Sequence, residues 1–253
     1  MSQTIWTRCA GPSRTRRLRG NFVRIVEAQF RNSTRKLVAS DEEQRVLEEL
    51  LDAHAKAPVP AGFAGLHYLL FTPFRHPPLR NGSRFGTRHQ RGILYAAHEL
   101  ETGLAEVAYY RLVFLEGTAK DLGLLRTDLT AFWFGVSAGR GIDLSRAPFD
   151  AWEKQISSPV SYEASQRLGT EMREAGVEAF LYLSARARPP GLNLGVFANV
   201  FTPRRPTREE RWSCVASRER VEFRSGSLLD VERAHAFPRS QFLVRGVLPA
   251  PAV

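Results

Sequence analysis

The sequence predicts an α+β domain with a helical N-terminal extension. Three observations lead there: enough apolar residues for a full core, segments whose hydrophobic period switches between that of strands and that of helices, and a C-terminal half in which strand patterns dominate. With 253 residues, 43% of them hydrophobic and 10% aromatic, the chain can bury one large domain, or a domain plus an extension. The division read from the sequence is a basic arm and helical extension over residues 1–60 and the main domain over 61–253.

Residues 1–20 are basic and poor in apolar periodicity, with Arg14, Arg16, Arg17 and Arg19 close together, and read as a solvated arm. Ser40 to Glu43 has the Ser-x-x-Glu form of a capping box, and Val46, Leu47, Leu50 and Leu51 follow at helical spacing until Pro58 and Pro60 end the helix. Leu66 to Phe71 reads as a buried strand. Thr72 to Arg91 is a long basic loop with three prolines, two glycines and five arginines. Gly92 to Ala97 is a short strand, and Thr102 is expected to cap a helix to about Leu115 whose core side carries Leu104, Val107, Ala108 and Leu112. Glu106 then stands in that helix's first turns. Leu129 to Val136 and Val177 to Leu183 are apolar strands, separated by a loop around Trp152 and a helix from about Tyr162 to Ala175 that Gly176 stops. Strands over Leu192 to Ala198, Arg220 to Arg224 and Gln241 to Leu248 complete the chain, interrupted by a charged loop from Arg204 to Arg211.

Composition narrows the function classes. No run of about 18 apolar residues is present, and the N-terminal arginines have no apolar segment behind them, so no membrane association and a cytoplasmic location are expected. Cys9 and Cys214 lie far apart with no Cys-x-x-Cys or Cys/His cluster, which argues against a disulfide framework or a zinc site, and no metal is expected. The net charge of +10 comes from 36 basic residues, only four of them lysine (Lys36, Lys56, Lys120, Lys154) and the other 32 arginine. Guanidinium forks grip phosphates and carboxylates at two points, which suits a nucleic acid, a phosphate-bearing small molecule or an acidic protein. Neither an internal repeat nor a Gly-rich dinucleotide or P-loop fingerprint is present. His76, His89 and His98 show no metal-ligand spacing. Gly135 to Gly139 spells Gly-x-Ser-x-Gly around Ser137, but Gly141 and Pro148 follow where a hydrolase elbow needs a helix.

A second set of residues carries chemistry. Arg84, Tyr95 and Glu106 are spaced by 11 and 11 residues across a loop, a strand and a helix, and Ser184 follows an apolar strand. Their surroundings read Gly82-Ser-Arg-Phe-Gly86, Leu94-Tyr-Ala-Ala97, Leu104-Ala-Glu-Val107 and Leu183-Ser-Ala185, with Leu192-Asn-Leu194 beyond. These segments, in this order over roughly Leu66 to Phe201, resemble the longer form of the RES family, bacterial toxins of toxin-antitoxin pairs named for an arginine, a glutamate and a serine. Phe85 stands where the family usually has tryptophan.

The resemblance implies an ADP-ribosyltransferase-like fold of split antiparallel sheets with flanking helices, and an enzyme that degrades NAD+ at the nicotinamide–ribose bond as a glycohydrolase or phosphorylase. NAD+ is then a substrate rather than a cofactor. Catalytic roles fall to Glu106, Arg84, Tyr95 and Ser184, and NAD+ binding to Arg75, Arg84, Tyr95, Ser184 and Asn193. The residue chemistry agrees: breaking this bond develops an oxocarbenium-like ribose that a carboxylate stabilises, while guanidinium groups neutralise the diphosphate. The Tyr95 ring can stack on nicotinamide and its hydroxyl can bind it; Ser184 can bind a ribose hydroxyl or orient Glu106. The implied partner is an Xre-type antitoxin, with nucleic acid contacted only through it. Two alternatives stand beside this reading: an ADP-ribosyltransferase acting on a cellular protein, and an arginine-rich nucleic-acid-binding module built on the N-terminal arm and the Arg204 to Arg211 loop.

Overall fold

The computed structural model of the chain describes residues 3–28, 42–43, 58–76, 80–120, 122–226 and 233–251. The helix expected behind Ser40 lies outside the described residues apart from Glu42 and Glu43. A short helix α1 (Ile5–Arg8) and a 3-10 turn (Gly11–Arg14) lead into β1 (Arg16–Glu27). Helix α2 (Tyr68–Arg75) precedes β2 (Leu94–Ala97), the long α3 (Leu100–Glu116) and the 19-residue β3 (Leu125–Asp143). Then come α4 (Glu153–Ile156), α5 (Glu163–Glu174), β4 (Ala179–Leu183), β5 (Leu192–Val196), β6 (Arg208–Ala216), β7 (Arg220–Ser225) and β8 (Arg233–Pro238).

The mixed α+β class is what these elements form. The eight strands join in one hydrogen-bonded sheet of order β1-β2-β5-β4-β3-β6-β7-β8, and β1 also pairs with β3, so five strands close on themselves. All pairings are antiparallel except β3 with β4. Long β3 makes this possible by serving different partners along its length: β6 over Leu125 to Trp133, β1 over Leu129 to Gly141, and β4 over Gly141 to Asp143.

Three apolar clusters fill the spaces. Helix α3 sets Leu104, Ala108 and Leu112 against Trp212 and Phe223 of β6 and β7. Helix α2 places Leu70 and Phe74 against Phe132, Phe134 and Val196. Helices α1 and α5 bring Trp6, Leu168 and Met172 to Phe85 and Phe180. Each fully buried Leu or Phe contributes roughly 1.5–3 kcal/mol relative to exposure.

Five expectations are corrected. Residues 1–20 are not a free arm: Ile5, Trp6 and Cys9 are buried and Arg16 opens a strand, because Leu18 and Phe22 belong to the core behind the arginines. Leu66 to Phe71 is not a strand; the chain from Tyr68 is helical, which puts Leu69, Leu70 and Phe74 on one buried side. A short apolar run fits either period, and here the packing of Phe74 decides it. Thr102 does not cap α3, since Glu99 holds the N-cap position and Thr102 sits buried in the first turn, where a Cβ at Gly191 would lie 2.0 Å from its Oγ1. Gln241 to Leu248 is a 3-10 turn over Arg239–Phe242 and an isolated bridge between Val244 and Val247. Part of the charged Arg204 to Arg211 stretch is likewise strand, with Arg208 paired to Trp133. No helix among the described residues is long and apolar enough to cross a membrane.

Candidate active site

Helix α3 sets Glu106, Tyr109 and Tyr110 on one side by their i, i+3, i+4 spacing. Across from it, β2 contributes Tyr95, β4 contributes Tyr182, and β5 contributes Asn193, which is in register with both Ala97 and Tyr182. Ser184 follows the last residue of β4. These elements and β1 enclose a cavity of about 390 Å³ whose lining includes Arg24, Arg84, Tyr95, Glu106, Tyr110 and Asn193. That size suits a small-molecule ligand.

The Glu106 carboxylate is held from one side. Ser184 Oγ donates to its Oε1 at 2.6 Å and Asn193 Nδ2 donates to the same oxygen at 2.8 Å. Ser184 Oγ itself accepts the backbone N–H groups of Arg186 and Ala187, both at 3.1 Å. Its lone pairs are thus occupied and its one proton is directed at Glu106. Both donors are nearly inaccessible, Ser184 at 3% and Asn193 at 2% exposure, so the carboxylate has little freedom to swing. Oε2 accepts no hydrogen bond among the described residues, which leaves one anionic oxygen available to the cavity.

Arg84 and Tyr95 form a second unit. Tyr95 Oη accepts the Phe85 N–H at 3.0 Å and shares a hydrogen bond with Ser83 Oγ at 2.9 Å, so it clamps both neighbours of Arg84. Burial pushes the Tyr95 phenol up to about 12, and it stays protonated at neutral pH. Arg84 is 6% exposed, donates from Nη1 to the Ser158 carbonyl at 2.8 Å and lies 4.6 Å over the Tyr162 ring. Burial opposes its charge, but the oxygens of Tyr162 and Tyr182 and the Glu106 carboxylate outweigh it and raise the guanidinium above its ordinary value. The Arg84 carbonyl accepts Ser165 Oγ at 2.6 Å, which ties this loop to α5.

Of the residues expected from the sequence, Arg84, Tyr95, Glu106 and Asn193 line one cavity and Ser184 bonds Glu106 directly. Arg75 ends α2 and does not line it. Several lining residues had escaped the sequence reading. Arg24 interrupts the apolar run Phe22 to Val26 of β1 and donates from Nη1 to the Tyr95 carbonyl at 2.6 Å. Tyr109 and Tyr110 were recoverable from their spacing behind Glu106. Arg186, 2% exposed, sits 3.5 Å from the Tyr109 ring centroid and supports that wall from behind. Ser137 lies inside β3, paired with Arg19, and not on a strand-to-helix elbow. His98 is on the surface beside Glu99, and no group of three His, Cys, Asp or Glu able to hold a metal occurs among the described residues. In the charged stretch, Arg204 donates to the Ala64 carbonyl, while Arg208 pairs with Glu210 and lies over Trp133.

Glu106, held by two hydrogen bonds, thus shares an aromatic cavity of an α+β fold with buried Arg84 and half-buried Arg24. The chain belongs to the RES-domain family: the RES domain model matches residues 59–216, more than half of it. This is a toxin-like, NAD-related enzyme family whose members generally pair with an antitoxin. The comparison with curated proteins found no match. The matched segment holds Arg84, Tyr95, Glu106, Ser184 and Asn193; β1, with Arg24, precedes it.

Proposed function

We propose that the chain is the toxin of a toxin-antitoxin pair and breaks the nicotinamide–ribose bond of NAD+. The observation that carries this reading is the Glu106 carboxylate at the cavity, fixed through Oε1 by Ser184 and Asn193, with no hydrogen bond to Oε2 among the described residues. As the bond between ribose C1' and the ring nitrogen breaks, its electron pair moves to nicotinamide and cancels that ring's charge. Positive charge develops on the ribose, where a preorganised carboxylate stabilises it in the transition state more than in the ground state. An acceptor, water or phosphate, then bonds to C1' and gives up its proton. Ser184 serves as the residue that orients Glu106, and Arg84 as a counter-charge to the diphosphate. The reading uses no metal or cofactor. An Xre-type antitoxin is the proposed partner, and the +10 charge of the toxin suits an acidic surface on it.

The test is to incubate the purified chain with NAD+ and measure free nicotinamide, then to repeat it with Glu106→Gln. The variant keeps the shape and loses the charge, so turnover should fall on the order of a hundredfold or more while NAD+ binding persists. Near-normal release by Glu106→Gln would remove Glu106 from the chemistry. The sugar product identifies the acceptor: ADP-ribose means water, ADP-ribose 1''-phosphate means phosphate, and modified protein means transfer.

A further inference from the structure

The surface arginines of this chain fall into two sets. Away from β1 many are neutralised: Arg146 pairs with Asp143 at 3.0 Å, Arg220 with Glu222, and Arg239 with Glu116 at 2.9 Å. At the start of β1 they are not. Arg14, Arg16, Arg17 and Arg19 are all exposed, and none forms an ion pair or a side-chain hydrogen bond among the described residues. They stand on an ordered strand, because Leu18 and Phe22 anchor β1 in the core and β3 pairs with it. Since Leu18 points into that core, its neighbours Arg17 and Arg19 point to the opposite face. The facing strand leaves this strip open. Ser137 is the partner of Arg19, and the register shift between Arg16 and Leu18 sets exposed Gly139 and Arg140 opposite Arg17. The small residues of the Gly135 to Gly139 motif, which form no hydrolase elbow, thus keep large side chains off the arginines. One carboxylate reaches the edge, Glu178, whose Oε2 accepts the Arg140 backbone N–H at 2.9 Å. Arg140 adds a fifth cation there, its guanidinium bonded to the carbonyls of Ala175 and Gly176.

We infer that this strip binds the phosphate backbone of duplex nucleic acid, directly and without regard to base sequence. Cations held a few ångströms apart on one strand repel each other until an array of anions neutralises them. Arg16 to Arg19 span about 10 Å of strand, and a duplex carries one charge per roughly 1.7 Å of its axis, so several phosphates come within reach of the strip. Guanidinium forks suit those phosphates, and a strand holds them in place before the ligand arrives. A single strand is less suited, because sites for it interleave cations with stacking aromatics, and the aromatics nearest in the chain, Trp6 and Phe22, are buried. An acidic protein would need an apolar centre to its interface, which the exposed Arg17, Arg19, Asn21 and Gly139 do not supply. The strip is also apart from the cavity: Arg19 lies four residues, about 13 Å of strand, before Val23, where β1 begins to line it. A bound duplex therefore leaves the cavity open, and the inference does not rest on the NAD+ reading.

The test measures binding of the purified chain to a short fluorescent DNA duplex over a range of salt concentrations. Two variants of equal net charge are compared with wild type: one carries Arg16→Gln, Arg17→Gln and Arg19→Gln, the other Arg146→Gln, Arg220→Gln and Arg239→Gln, which lie elsewhere. Wild type should bind with a steep salt dependence, and unlabelled duplexes of unrelated sequence should compete equally. The β1 variant should lose about tenfold or more in affinity at low salt, and its log–log salt slope should shrink by about 2–3, close to 0.9 for each phosphate contact removed. The control variant should keep most of both. Thermal melting checks that the variants fold, and single Arg17→Gln and Arg19→Gln changes, each expected to remove about 0.9 from the slope, serve if the triple variant does not. Equal losses in the two triple variants would make net charge the cause and overturn the inference. So would failure of wild type to bind the duplex, including the case in which it binds poly-glutamate instead, or tighter binding of single-stranded DNA than of duplex. Saturating duplex should leave nicotinamide release unchanged, whereas competitive inhibition would put the nucleic acid at the cavity and overturn its assignment to the start of β1.

Discussion

Tyr95 lines the cavity with its ring, but its hydroxyl is turned to the protein, where it holds Ser83 Oγ and the Phe85 N–H on either side of Arg84. Tyr95→Phe keeps the ring and strands a buried N–H, so we expect a loss of about 1–3 kcal/mol in stability and a higher KM for NAD+ as the Arg84 loop loosens. Denaturant unfolding and steady-state kinetics check this. A ring that served only to stack on nicotinamide would leave both unchanged in the Phe variant. Local wording made Arg84, Tyr95, Glu106 and Ser184 legible in the sequence, because the residue types in these segments are restricted by what they touch. Arg24 was not legible: in a chain with 32 arginines one more carries no signal, and only its place inside an apolar strand marks it. The direction of the Tyr95 hydroxyl was equally hidden, since it depends on a loop whose path the sequence does not specify.

Helix α5 positions this same loop by close approach. A Cβ at Gly169 would lie 1.9 Å from the Phe85 carbonyl oxygen, and Ser165 and Gln166 of the same helix bond to the carbonyls of Arg84 and Ser83 at 2.6 and 3.0 Å. In Gly169→Ala two effects oppose each other: better helix propensity, worth about 1 kcal/mol, and overpacking against backbone, which costs roughly 1–3 kcal/mol. The contact is with a carbonyl rather than a flexible side chain, so overpacking should win. We expect a lower melting temperature together with weaker NAD+ binding, because the loop that carries Arg84 must retreat. An Ala variant as stable as wild type would show that the loop yields freely. Strongly patterned elements such as α3, α5, β2 and β4 were readable from their hydrophobic period. Helix α2 was not, since Leu66 to Phe71 is too short to distinguish the two periods. Strand β1 escaped notice because its arginines hide apolar residues buried on both faces, Leu18 and Phe22 in one core cluster and Val23 in another.

The closed part of the sheet gives the molecule a cavity with Tyr95, Tyr109, Tyr110 and Tyr182 in its wall, and this has a consequence for its response to alkali. Burial pushes Tyr95 and Tyr109 up to about 12 and Tyr182 well above the ordinary phenol value, and Tyr109 also donates to the Pro249 carbonyl at 2.6 Å. In the unfolded chain these phenols ionise near pH 10. A group whose folded pKa is raised contributes stability that is complete below its unfolded pKa and is lost as pH rises through the folded value. Buried Cys214, raised to about 11, adds to the loss in the same direction from about pH 9. Arg24 and Arg173, depressed by burial to about 10, act oppositely, because the folded state sheds their protons first. Three phenols and a thiol against two guanidiniums leave a net loss, with Tyr95 and Tyr109 each accounting for on the order of 1–3 kcal/mol by about pH 12 and Tyr182 acting in the same direction. Melting temperature should therefore fall steadily from about pH 9.5 upward, and phenolate absorbance from the buried tyrosines should appear together with unfolding rather than before it. A melting temperature that stays flat to about pH 11, or phenolate absorbance that reaches its full value in the folded protein, would mean that water reaches the cavity tyrosines and that the walls of the site are not the closed surface described above.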